Sequence, residues 1–142
     1  MENIMKLLKQ HPDECVATSL AMVLDEDVEM IKSEMGPMDA EIGYHLEQVF
    51  DFLRNRNIIL GRVAHAPAIM THKGVIVPVW EPEECRSRFA RLLKGKTALL
   101  VGDAFINGHV YAWDGNQIFD PNGKIRELGS VSIREAWVIH HI

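Results

Sequence analysis

The stretch Gln10-His-Pro-Asp-Glu-Cys15-Val-Ala-Thr-Ser-Leu20-Ala-Met-Val-Leu24 runs from a polar turn into an apolar helix, with a cysteine at the join. Asp13 is placed as the N-cap, its carboxylate accepting from the free N–H groups of the first turn. Val16, Leu20, Val23 and Leu24 then follow at the i, i+4, i+7, i+8 spacing of one buried helix face. Cys15 falls in the first turn, where unpaired N–H groups and the helix dipole favour negative charge. That setting favours a nucleophilic sulfur. Free cysteine is also a common core residue, so position alone leaves nucleophile and packing both open.

Around this stretch the chain has the make-up of an ordinary globular protein. Its 142 residues suit one domain over 1–142, with an apolar fraction of 47% and a charged fraction of 25%. A net charge of -5 argues against a nucleic-acid partner or an anionic membrane. The longest uncharged apolar run, Cys15 to Leu24, is far short of the roughly 20 residues a membrane span needs. Met-Glu-Asn-Ile-Met-Lys at the start carries no signal-peptide pattern, so a cytoplasmic location is expected. With only two cysteines, Cys15 and Cys85, a disulfide is not expected there. Neither C-x-x-C nor H-E-x-x-H occurs among the scattered histidines, which argues against a zinc site; no metal or cofactor is expected.

Beyond the Cys15 helix, Asp27 can cap a second helix with the stripe Val28, Ile31 and Met35, ended by Gly36-Pro37. A third helix is expected from about Tyr44 to Arg56, burying Leu46, Val49, Phe50 and Leu53. Ile58 to Leu60 reads as strand, Gly61 to Pro67 as irregular, and Val75 to Trp80 as an edge strand or loop because of Pro78. A fourth helix opens at Glu81 and runs to Gly95, with Cys85 in ordinary packing or partly exposed. From Thr97 onward the period is that of strands, with hairpin signals at Asn107-Gly108 and Asp114-Gly115. Helices first and an antiparallel meander second is an α+β pattern.

The second hairpin locates a chemical pair. If Asp114-Gly115 is a two-residue loop, Trp113 faces Asn116, Tyr111 faces Ile118 and His109 faces Asp120. Opposed side chains of that kind have Cβ atoms about 4.5–5.5 Å apart, within reach of an imidazole–carboxylate hydrogen bond. A loop of Gly115-Asn116 would set His109 opposite Asn122 instead, and an amide can also orient an imidazole. Asp120 is the first choice and Asn122 the reserve. A helix-start cysteine and a strand histidine with a carboxylate together make a Cys-His-Asp constellation. Tyr111, Trp113 and Ile118 share the histidine's face, as core or as cleft wall.

Gln10…Cys15-Val-Ala-Thr-Ser-Leu-Ala-Met-Val-Leu and Gly108-His-Val-Tyr-Ala-Trp…Asp120-Pro-Asn-Gly resemble papain-like cysteine peptidases. The resemblance is to the C39, bacteriocin-processing branch and to short phage-encoded proteins of that kind. It implies a papain-like α+β fold, with the nucleophile on a central helix packed on a C-terminal antiparallel sheet. It also implies a thiol hydrolase acting on peptide or isopeptide bonds of a protein or peptide substrate. Carried over, Cys15 is the nucleophile, His109 the base, Asp120 the orienting group and Gln10 the oxyanion donor. Two departures stand out: Val16 replaces the glycine usual after the cysteine, and Gln10 lies one residue nearer to Cys15 than usual. Deamidation, acyl transfer, and a binding module that grips a host protein without turnover are the other activities that such a chain could carry.

Overall fold

A computed structural model of the chain describes residues 4–10, 14–39, 43–65, 69–72, 75–78, 82–102 and 109–142. Three helices come first: α1 (Cys15–Leu24), α2 (Val28–Met35) and α3 (Leu46–Arg54). Strands β1 (Ile58–His65), β2 (Ile69–His72) and β3 (Val75–Pro78) follow, then helix α4 (Pro82–Leu92). The chain finishes with β4 (Ala98–Gly102), β5 (His109–Trp113), β6 (Ile118–Asp120), β7 (Lys124–Arg126) and β8 (Ile133–His141). Six of these strands form an antiparallel sheet in the order β1-β8-β4-β5-β6-β7, while β2 and β3 pair as a separate hairpin. The fold is α+β.

The sheet is covered on both faces, because its strands alternate between two apolar clusters. Leu99 and Ile58 join Ala17, Leu20, Ile31, Met35, Val49, Phe52 and Leu53 of the first three helices. Ala98, Leu100, Trp113 and Ile118 join Cys85, Phe89 and Leu93 of α4. Trp113 Nε1 donates to the Leu93 carbonyl at 2.9 Å, tying the end of β5 to the end of α4. Tyr111, Trp113 and Ile118 are therefore core.

Helix α1 lies deeper than its apolar stripe suggests. Val16, Val23 and Leu24 are only partly covered, whereas Ala17, Thr18, Ser19, Leu20, Ala21 and Met22 are all buried. The small residues admit close packing: Ser19 Oγ donates to the Val110 carbonyl of β5 at 2.8 Å, and Met22 packs on Ala112 and Phe119. Leu20 has no exposed surface and anchors the other side of the helix in the cluster with Ile31 and Leu53. Leu20→Ala should cost about 2–5 kcal/mol of unfolding free energy, read as a lowered urea midpoint with an unchanged slope.

Several element boundaries differ from the sequence reading. Gly61 to His65 continue β1, because the long β8 offers partners through Arg62↔Trp137 and, past a bulge, His65↔Glu135. Ile133 to His141 form the single strand β8. On α3 the buried aromatic is Phe52, while Phe50 is half-buried and packs on Trp137 at 5.8 Å between ring centroids. Cys85 is fully buried. Asp27 caps α2 as expected, Oδ2 accepting from the Met30 N–H at 3.3 Å. The hairpin signal at Asn107-Gly108 and the proposed cap Asp13 lie outside the described residues.

Candidate active site

Helix α1 begins at Cys15, so the Cys15 N–H is one of the first-turn donors without an acceptor inside the helix. Glu14, the residue before it, does not cap the helix with its side chain. Its carboxylate pairs instead with Lys32 Nζ of α2, at 2.5 Å. Cys15 is outside any disulfide and of intermediate exposure, whereas Cys85, also outside any disulfide, is shut in the core.

The hairpin between β5 and β6 has the second of the two registers. Trp113 pairs with Ile118 and Ala112 with Phe119. Asp114 selects this register: its Oδ1 accepts from the N–H groups of Asn116 and Gln117 at 2.8 and 2.7 Å. Gly115 then takes the turn at φ +104°. Continued outward, the register sets Tyr111 opposite Asp120 and His109 opposite Asn122.

The partner of the histidine is nevertheless the aspartate. His109 Nε2 lies 2.9 Å from Asp120 Oδ1, a diagonal contact across the hairpin. Asn122 is engaged elsewhere: its backbone N–H donates to the same Oδ1 at 2.9 Å, and its own Oδ1 accepts from Gln10 Nε2 at 3.3 Å. The second carboxylate oxygen, Oδ2, accepts from Arg126 Nε at 2.7 Å. Asp120 is 2% exposed, so three donors converge on a carboxylate almost wholly removed from water. Burial alone would raise its pKa, but the Asn122 N–H, His109 and Arg126 together hold it below the ordinary carboxylate value.

The Cys15 side chain is also close enough to His109 to act on the charge of its ring. With Nε2 given to Asp120, Nδ1 is the ring nitrogen left for the sulfur. Burial opposes protonation of the imidazole, yet its contacts with Cys15 and Asp120 outweigh that and raise its pKa above the ordinary histidine value. The ring is steadied by Tyr111, edge-on at 4.7 Å between centroids and 82° between planes. Tyr111 fits there because residue 102, paired with His109 across β4 and β5, is glycine. A Cβ at Gly102 would stand 2.6 Å from Tyr111 Cε2.

Compared with known proteins, the chain matches no family model, and no curated protein is significantly similar to it.

Gln10 arrives from the N-terminal segment. Its backbone N–H donates to the Pro121 carbonyl at 2.6 Å, and Lys9 forms a β-bridge with Asn122. It is thus fastened to the same Asp120-Pro-Asn-Gly123 turn that holds Asp120. Its carboxamide is loosely held, by one long bond from Nε2 to Asn122, while Oε1 is buried without a partner. Of the four residues singled out in the sequence, His109 and Asp120 are hydrogen-bonded, Cys15 interacts with His109, and Gln10 flanks them through Asn122. Among the described residues no cluster of metal-ligating side chains occurs.

Arg126 was not among the residues singled out. The signal was present in Lys124-Ile-Arg126: Gly123 closes a short turn at φ +90°, with its N–H on the Asp120 carbonyl at 2.9 Å. The strand that follows pairs Asp120 with Lys124, and Arg126 falls two residues on, with its side chain on the same face.

Proposed function

We propose that this protein is a thiol hydrolase of papain-like type, cleaving peptide or isopeptide bonds through an acyl-enzyme on Cys15. The observation that carries the reading is that His109 interacts with two groups at once, the Cys15 side chain, which acts on its charge, and the buried Asp120 carboxylate, to which it is hydrogen-bonded. A structural cysteine needs no such partner.

In the proposed reaction, the Cys15 sulfur gives its proton to His109 Nδ1 and attacks the carbonyl carbon, forming a C–S bond. The charge that develops on the carbonyl oxygen is met by the Cys15 N–H and by the Gln10 carboxamide, which is free enough to turn its N–H toward it. His109 then returns the proton to the leaving nitrogen as the C–N bond breaks. In the second half a water replaces the amine: His109 takes its proton, the oxygen adds to the thioester, and the sulfur leaves and is reprotonated. Asp120 keeps the proton-bearing face of the ring at Nε2 and balances the imidazolium charge. A reduced thiol of this kind suits the cytoplasm. No helix among the described residues is long and apolar enough to cross a membrane.

Intact-mass analysis with a panel of activated peptide esters tests the reading. A single acyl adduct is expected on Cys15 and none on Cys85, followed by slow return to the free protein. His109→Ala should slow acylation by roughly 10²–10⁴-fold. An unchanged rate in that variant would exclude base assistance, and with it the hydrolase.

A further inference from the structure

We propose that Arg126 is a positioning residue of this site, dividing the Asp120 carboxylate between itself and His109. Each carboxylate oxygen has its own nitrogen partner: Oδ1 faces His109 Nε2 at 2.9 Å, and Oδ2 faces Arg126 Nε at 2.7 Å. The arrangement fixes which oxygen is presented to the imidazole, since rotating the carboxylate would break the Arg126 bond and the Asn122 N–H bond together. It also fixes how much negative charge the imidazole meets. Arg126 sits on β7 and is 32% exposed in its side chain, whereas its partner oxygen is buried, so the guanidinium is the solvent-side stopper of the pair.

The consequence is a balance. A carboxylate left to His109 alone would hold the imidazolium more tightly and make it a poorer acid toward a leaving nitrogen. A carboxylate with no cation behind it would also be harder to keep charged in so buried a place. Arg126 serves both ends, as counter-charge for Asp120 and as competitor to His109. Among the described residues, the other charged or titratable groups around the pair are these. Cys15 of α1 and Tyr111 of β5 face His109. Lys124 of β7 is paired with Asp120 in the backbone but exposed, and Lys9 bridges to Asn122 at the surface.

The role in turnover rests on the hydrolase reading; the division of charge does not, and its test needs no substrate. The His109 ring is followed by NMR as a function of pH in the wild type, Arg126→Gln and Arg126→Lys. Arg126→Gln should move the His109 midpoint upward by roughly half a pH unit or more, because the full carboxylate charge then falls on the imidazole. Arg126→Lys, which keeps the charge, should stay close to the wild type. A midpoint that is unchanged or lowered in Arg126→Gln would reduce Arg126 to a clamp between β6 and β7. Should Arg126→Gln not fold, the wild type still decides: the Arg126 Nε–H resonance should inflect at the His109 midpoint, and a flat trace overturns the proposal. A protein that shows the shift but never forms an acyl-enzyme keeps this inference and loses the hydrolase.

Discussion

Cys15→Ser should abolish acyl-enzyme formation, lowering the acylation rate by at least about 10⁴-fold while leaving the unfolding midpoint in place. The two effects separate because of where residue 15 sits. Its side chain is partly exposed at the start of α1, outside the buried run that begins at Ala17. A serine there keeps the helix and even suits its first turn, but its hydroxyl is a far weaker nucleophile than the sulfur. Cys85→Ala is the natural control. It removes a sulfur from the core packed by Phe89 and Leu93, so it should lower stability and leave acylation intact. Full acylation in Cys15→Ser would place the reactive group elsewhere in the chain.

Asp120→Asn should slow acylation by about 10⁴-fold with the backbone unchanged. An amide at this position can offer its NH₂ to His109 Nε2, which holds the ring in the tautomer that points a hydrogen at the sulfur. The imidazolium also loses its counter-charge, so the His109 midpoint should fall, opposite in sign to the Arg126→Gln effect. Stability supplies a second readout. The Asp120 pKa is lower folded than unfolded, so its ionisation stabilises the protein above the ordinary carboxylate value of about 3.9. That contribution disappears as pH falls through the lower, folded value. Urea unfolding from neutral to acid pH should therefore show a loss in the wild type that is reduced in Asp120→Asn. Equal acid sensitivity in both would mean that other carboxylates govern it.

How far the sequence led can be judged residue by residue. Cys15 at a helix start and a His109–Asp120 pair were both legible, the first from periodicity and the second from hairpin arithmetic. The arithmetic reached the right pair through the wrong register. The Asp114 carboxylate caps two loop N–H groups and shifts the pairing by two, and the diagonal reach of His109 then restores the contact. Period-two patterns cannot distinguish such slips, since both put the same side chains on the same face. Arg126 was hidden for a related reason: a three-residue strand carries too little alternation to announce itself. The length of β1 was hidden because a strand through Gly61 is stabilised by its partner β8, and the local residues do not specify it.

The strand order has a consequence for how the chain reaches this state. β8 lies between β1 and β4, so until residues 133–141 slot in, two strands present bare amide and carbonyl rows to each other across an empty lane. The hairpin arm that carries His109, Asp120 and Arg126 can be made from neighbours in sequence, but the β1 side of the lane is filled by contacts such as Ile58↔His141, far apart in the chain. Pairing at such separation carries a high loop-closure cost, so closure of this lane is expected late in folding, with the unpaired edges exposed until then.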